Sequence, residues 1–452
     1  MENNLSLLVD FYELTMAASY FENHPQARAV FDLFVRKMPK ERSYFVAAGL
    51  EDIVNFVLNL RFDSGSIDYL RSRRIFPPRF LEFLKDLKFT GNLWALPEGT
   101  VFFTAEPVIR VEASIIEAQL LESFLLNTIN LQTTIATKAS RVVLAAREAG
   151  VYDFSLRRTQ GADAAVKAAR SSYIAGVKGT SNVLAAKQYG IPAVGTMAHS
   201  FVMSFEDELT AFRAFTTTFP DTSVLLVDTY DTLNGVKIAV AAAKELEKKG
   251  RRLLSIRLDS GDIVRLSRQA RRILDQAGLQ YVKIFASGNL DEYKISRLLK
   301  AGAAVDNFGV GTNMGVSSDA PYLDVIYKIS EVTDHSGRFL PTMKLSRDKV
   351  TFPGRKQVYR FFDSRGRYSK DVLGLEEEKI KGEPLLIKVM ENGRLAYDLP
   401  SLTDIQKRCR ENLSRLPEKV KRITAASRFP VILSPGLSAL TRRLSHKLKK
   451  LT

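Results

Sequence analysis

Residues 253–312, LLSIRLDSGDIVRLSRQARRILDQAGLQYVKIFASGNLDEYKISRLLKAGAAVDNFGVGT, decide the fold. Short apolar runs at 253–259, 281–287 and 304–310 alternate with helical stretches from Ile263 to Ala277 and from Asp291 to Ala301. Strand, helix, strand in strict order implies a parallel sheet with helical crossovers. The same alternation extends back through SVLLVD (223–228), PAVGT (192–196), YIAGV (173–177) and VYDFSL (151–156). Helical pieces lie between them at Ala162 to Ser172, Ser181 to Gln188 and Asn234 to Lys249. Seven such units suit a closed or nearly closed barrel better than an open sheet.

Outside this region the pattern changes. FDLFVRKMP (31–39) alternates like a strand, LEDIVNFVLNL (50–60) has helical spacing, and Glu112 through Ala149 reads as one or two long helices closed by Gly150. After about residue 340, MKLSRDKVTFPGRKQVYRFFD reads as antiparallel hairpin material that returns to the N-terminal segment. The expected architecture is α/β: a barrel at 149–340 and a discontinuous α+β outer domain, sandwich-like, from 1–148 and 341–452.

Composition narrows the function classes. The chain has 452 residues, 45% hydrophobic and 26% charged, the profile of a globular protein. Its one cysteine, Cys409, rules out an internal disulfide or a Cys-based zinc site, and no His/Cys/carboxylate set has metal-ligand spacing. No apolar stretch is long enough for a membrane span, and MENNLSLLVDFYELT does not read as a signal peptide, so the expected location is cytoplasmic. The net charge of +16 invites a nucleic-acid reading. Much of the excess lies in the last fifty or so residues, including Lys407, Arg408, Arg410, Lys419, Lys421, Arg422, Arg442, Arg443, Lys447, Lys449 and Lys450. A solvated helical tail is the expectation there, with a polyanion contact as the alternative.

The polar and glycine-rich residues fall at strand ends, where α/β barrels build their active sites. Arg157 and Arg158 follow the first strand, Thr180 and Ser181 the second, His199 the third and Asp228 the fourth. Arg257 and Asp259 belong to the fifth, Gly288 to the sixth, and Gly309, Gly311 and Thr312 to the seventh. Such residues also end strands and cap helices with no further role. Together around one mouth they suit a phosphate-bearing ligand. Glycines let backbone N–H groups approach an anion, arginine offers a planar donor fork, and aspartate holds ribose hydroxyls or the waters of magnesium. Neither a G-x-x-x-x-G-K-[ST] loop nor a G-x-G-x-x-G fingerprint is present, so several loops must assemble the site.

At these residues the chain resembles nicotinate phosphoribosyltransferase. The segments that carry the likeness include DFYELTMA, FVRKMPKERSYFVAAGLED, IATKASR, DFSLRRTQG, GTSNVLAAKQYGIPAVGTMAHSF, LLVDTYDT, IRLDSGD, FASGNLDEY and DNFGVGT, in the family's order. The resemblance implies a two-domain fold with an irregular seven-stranded barrel. It also implies formation of nicotinate mononucleotide from nicotinate and phosphoribosyl pyrophosphate, coupled to ATP hydrolysis with Mg2+, in a homodimer with shared sites. Carried over, His199 is the histidine that ATP phosphorylates, and Phe154 stacks on the pyridine with Tyr12 of a second subunit on its other face. Arg157 lies near the pyridine and phosphate, Arg257 and Asp259 hold the phosphoribosyl group and diphosphate, and Gly288, Gly309 and Gly311 cradle phosphate. Nicotinamide-using relatives carry aspartate where this chain has Ser181. Ser181 beside Arg157 or Arg158 favours the acid, leaving a nicotinamide enzyme or a non-catalytic nucleotide or nucleic-acid binder as rivals. Some relatives carry a zinc cluster that this chain lacks.

Overall fold

A computed structural model describes residues 4–346 and 351–450, which form two compact units, residues 1–134 with 322–452 and residues 135–321. The fold is mixed α/β, with one parallel sheet and separate, mainly antiparallel sheets.

In the first unit a seven-stranded antiparallel sheet is centred on strands Arg28–Val35 and Pro107–Ser114. Strand Val325–Thr333 pairs with the other edge of Arg28–Val35, so the chain returns to its N-terminal part. Glu112 lies inside a strand, contrary to the helical expectation for 112–149. The β-branched alternation of the preceding residues extends the strand to Ser114, whose hydroxyl accepts from Glu117 N and donates to the Glu117 carboxylate. That side-chain N-cap starts the helical run at Ile115, which continues as helices Ile115–Leu120 and Glu122–Ala146. Strands Lys356–Phe362 and Tyr368–Leu375 form the expected hairpin, while 347–350 lie outside the described residues.

The basic C-terminal stretch is not a solvated tail. Helix Leu402–Arg415 buries Ile405, Cys409 and Leu413, and Leu416, Val420 and Leu437 are buried beyond it. Its charges occupy the outer faces of helices whose apolar faces join the core.

The second unit holds a five-stranded parallel sheet. Its order is Gly150–Asp153, Asn307–Val310, Lys283–Ala286, Ser255–Leu258 and Val224–Leu226. Thr180 extends it by a single parallel bridge to Asp153 and Ala193 by one to Thr180, so seven segments stand side by side. No ladder joins 193 to Val224–Leu226 among the described residues. YIAGV (173–177) is not a strand. The alanine-rich helix Ala162–Ile174 runs through it and stops at Gly176, whose φ of +105° takes the left-handed position. Gly176 N then bonds Tyr173 O and Val177 N bonds Ser172 O, closing the carbonyls of the last turn. The crossover helices Val183–Tyr189, Thr232–Lys248, Ile263–Gln276 and Glu292–Lys300 follow their strands, and His199–Met203 and Glu208–Thr218 are further helices. None of the described helices is long and apolar enough to cross a membrane.

One buried acid in the first unit sets a pH response. Glu13 on helix Phe11–Asn23 accepts from the Ser123 hydroxyl, and its other oxygen is buried with no partner among the described residues. Burial raises its pKa from 4.5 to about 7, Ser123 lowers it, and neighbouring Glu122 and Asp10 raise it further. Between those values the folded chain keeps a proton that the unfolded chain releases. The contribution to stability is therefore full below the ordinary carboxylate value and is lost as pH rises through about 7. Urea midpoints measured at pH 5 and pH 8 should fall less in Glu13→Gln than in the parent chain; an equal fall in both would show that Glu13 does not drive the loss.

Candidate active site

Two loops of the parallel sheet share a division of labour between acids. In DTYD (228–231) and DSGD (259–262) the first aspartate turns into the strand-end cleft and the second caps the next helix. Asp231 accepts from Asn234 N at 2.8 Å and Asp262 from Arg265 N at 3.1 Å. Asp291 does the same for Lys294 N at 2.7 Å, and Asn182 for Ala185 N at 3.2 Å. These four side chains are spent on helix caps, and Asp228 and Asp259 are left to face the cleft.

Arg257 points from the end of its strand and is nearly buried. Its Nε donates to Ser287 Oγ at 2.8 Å, Nη1 to Thr196 Oγ1 at 2.9 Å and Nη2 to Asp259 Oδ1 at 2.7 Å. The Ser287 hydroxyl also donates to Asp259 Oδ1. Asp228 Oδ2 accepts from Asp259 N at 2.8 Å and from Ser260 Oγ at 2.7 Å, while Asp228 Oδ1 is buried without a hydrogen-bond partner among the described residues. Burial raises the Asp259 pKa, but the Ser287 bond, Arg257 and His199 together pull it below the usual value, so the group is an anion at neutral pH.

His199 opens helix His199–Met203. Its Nδ1 is 3.2 Å from Thr229 Oγ1, its Nε2 is 4.0 Å from Asp259 Oδ2, and the ring is partly open to solvent. A nucleophilic imidazole, a carboxylate and a guanidinium therefore converge on one cleft.

Phe154 forms the wall beside them. Its ring stacks on Phe285 with centroids 5.5 Å apart and planes 12° from parallel, and the Arg257 guanidinium carbon lies 5.5 Å from its centroid. Gly309 makes this possible, because a Cβ there would stand 2.6 Å from Phe154 Cε2. Its role in this geometry is to admit the ring. Gly288, at φ +98°, packs so tightly that a Cβ would lie 2.1 Å from Asp259 O. Gly311 backs onto Phe154 O, and Thr312 begins the short helix Thr312–Gly315. Thr180 donates to Asp153 Oδ2 at 2.7 Å and accepts from Asn182 N at 3.0 Å. Ser181 N bonds Asp153 O at 2.9 Å, and Arg157 and Arg158 stand exposed in the turn Leu156–Arg158.

Asp153, Tyr152, Phe285 and Thr196 also stand at this cleft and carry no motif in the sequence, while Ser287 follows the sixth strand as one of its polar strand-end residues. Asp153 is buried, with burial raising its pKa against bonds from Ser155 and Thr180, and it fixes the turn that presents Phe154. Tyr152 and Phe285 line a cavity of about 690 Å³ that reaches from Phe154 and Thr196 to Leu254, Lys283 and Asn307. Period-two alternation was the available signal: 152 and 154, 255 and 257, 283 and 285, and 307 and 309 share one face with Arg257. Tyr12 belongs to the other unit. Half exposed on helix Phe11–Asn23, it has its hydroxyl pKa raised by burial first, then by Glu122 and Glu13, with a hydrogen bond to Glu122.

Comparison with known proteins gives one consistent result. Residues 7–130 match the nicotinate phosphoribosyltransferase N-terminal domain, 150–336 the nicotinate phosphoribosyltransferase family and 379–441 its C-terminal domain. The last match covers much of the basic stretch that carried no motif in the sequence reading. A nicotinate phosphoribosyltransferase of Mycobacterium tuberculosis is 47% identical over 443 residues, covering 98% of this chain and 94% of the relative. One from Bacillus subtilis is 38% identical over 478 residues, covering 99% and 96%. The crystal structure of human nicotinic acid phosphoribosyltransferase superposes with a TM-score of 0.86 at 30% identity, over 96% of this chain and 99% of that one.

Replacing Gly309 by alanine should displace the Phe154 ring without unfolding the protein. Steady-state turnover should fall by about 10²-fold, as expected for a misplacement of about 1 Å at a reacting centre. Unchanged turnover in a variant of normal circular dichroism would mean that the ring position is not critical.

Proposed function

Since the chain belongs to the nicotinate phosphoribosyltransferase family, we propose that it joins nicotinate to the ribose of phosphoribosyl pyrophosphate, releasing diphosphate, with ATP hydrolysis coupled through His199. The observation that carries this reading is the Arg257–Asp259–His199 constellation at the strand ends beside the flat wall of Phe154. The product is a pyridine nucleotide, which places the enzyme in NAD salvage. The seven strand segments support an irregular barrel whose loops at one end form this mouth.

The chemistry follows from the groups present. Pyridine nitrogen attacks ribose C1 as the C1–O bond to diphosphate breaks, through a transition state with oxocarbenium character. The attacking nitrogen carries no proton at neutral pH, so no general base is needed. Phe154 orients the ring by stacking, and Arg257 offsets charge on the departing diphosphate. Arg257 is itself held at three points, so this donor is preorganised. Gly288, Gly311 and Thr312 offer backbone donors to the phosphates. His199 takes a phosphoryl group from ATP and switches substrate affinity instead of bonding to ribose.

Magnesium fits beside these residues. Asp228 Oδ1 is a buried carboxylate oxygen without a partner among the described residues, and Asp259 Oδ2 faces the same cleft. One or two carboxylates, with phosphates and water completing the shell, are the set a hard cation such as magnesium takes. When bound, magnesium supplies charge neutralisation on the diphosphate.

Two further features bear on substrate and assembly. Ser181 places no carboxylate near the nicotinate carboxylate, and Arg157 and Arg158 supply positive charge in the adjoining loop. Leu8 and Phe11 are 49% and 55% exposed beside Tyr12, which supports burial of that surface by a second copy. Tyr12 would then complete the neighbour's pyridine site.

Purified protein given phosphoribosyl pyrophosphate, ATP and magnesium should form mononucleotide from nicotinate and not from nicotinamide, read by chromatography. Ser181→Asp should shift that preference towards nicotinamide by on the order of 10²-fold, the scale of like-charge repulsion in a site. Product from nicotinamide with the parent chain would overturn the assignment. His199→Ala should abolish ATP hydrolysis and leave slow nucleotide formation; loss of both in a folded variant would remove the affinity-switch role.

A further inference from the structure

Lys138 takes no part in the chemistry above, yet it sits at a buried junction between the segments that follow Gly288 and Gly311. Its ammonium pairs with Glu292 and with Asp319, the latter at 2.8 Å. Arg141, one helical turn further on, reaches the other oxygen of Glu292 at 3.0 Å and the Tyr293 hydroxyl at 3.2 Å. Lys138 and Glu292 are almost fully buried, and the four charges sum to zero.

The partners locate the function of the cluster. Glu292 is the first residue of helix Glu292–Lys300, separated from Ser287, Gly288 and Asn289 by Leu290 and the N-cap Asp291. Asp319 lies in the turn that follows Gly311 and the short helix Thr312–Gly315. The two turns are also tied on their exposed side. Asn313 Nδ2 donates to Asn289 Oδ1 at 2.9 Å and to Leu290 O at 3.1 Å, and Ser318 Oγ holds Asn313 Oδ1 at 2.9 Å. One turn is thus fastened to the other from the front by an amide and from behind by an ammonium.

Buried ion clusters of this kind contribute little net stability compared with apolar packing, because desolvation offsets attraction. Their directional bonds do fix geometry. We propose that Lys138 is a positioning residue for the diphosphate-bearing substrate. It sets the distance between the Gly288 and Gly311 turns so that their backbone donors meet both phosphates at once. This rests on the reading of those turns as the phosphate cradle.

The test uses inorganic diphosphate with magnesium as the probe, titrated calorimetrically into full-length protein. Lys138→Met and Asn313→Ala should each weaken diphosphate binding about tenfold, the size of one misaligned charge-assisted contact. Both should raise KM for phosphoribosyl pyrophosphate while leaving KM for nicotinate within about twofold, and Lys138→Arg should recover part of the loss. Asn313 is not a core residue, so its variant keeps the test open if Lys138→Met fails to fold. Diphosphate affinity unchanged in folded variants, with only a lower melting temperature, would make the cluster merely structural and overturn the proposal. Parent protein that binds no diphosphate would overturn the phosphate-cradle reading itself, and this inference with it.

Discussion

The side chains that meet at the end of the parallel sheet are held by segments other than their own, and the cleft depends on that cross-segment tethering. Arg257 is fastened to Ser287 and Thr196, the backbone of Asp259 to Asp228, and Asp153 to Thr180. The ring of Phe154 occupies the space that Gly309 leaves open. A parallel sheet brings all its strand ends to one edge, but side chains there would be mobile if each depended only on its own loop. Tethering removes that freedom before any ligand arrives, which is the condition for electrostatic catalysis without reorganisation. The cost is burial of polar groups such as Asp153, tolerated because its oxygens accept bonds from Ser155 and Thr180.

Legibility in the sequence followed interaction range. The crossover helices after 228, 259 and 287 could be placed because their apolar spacing is regular and an aspartate caps each one. The candidate residues at those strand ends stand out for the same reason: a conspicuous residue type at a recognisable boundary. What failed was decided by distant partners. Thr180 joins the sheet through single bridges, too short to leave an alternation, and the end of the helix at Tyr173 reads as a strand because its Gly176 stop looks like a strand-end glycine. Tyr152, Phe285 and Asp153 carry no signature of their own. Only the face they share with Arg257 gives them meaning, and a face exists only once the strand register is known.

Charge was a similar lesson. The C-terminal excess of lysine and arginine suggested a segment apart from the core, yet those residues lie on the backs of helices that bury Ile405, Leu413 and Leu437. Composition counts side chains without regard to direction. Helical spacing, not net charge, separates a packed amphipathic segment from a tail.

Cys409 sits in helix Leu402–Arg415, within the C-terminal stretch, fully buried, with its thiol pushed up to about 12 by burial. Its backbone and Cβ lie close to Gly99, where an added Cβ would meet Cys409 N at 3.1 Å. The native thiol is therefore neither ionised nor reachable, while an unfolded chain would expose an ordinary one. The protein carries a built-in label site that opens only when this helix leaves its seat. Because it is the sole cysteine, the rate at which a thiol reagent modifies the unmodified wild-type chain reports that one opening event with no competing signal.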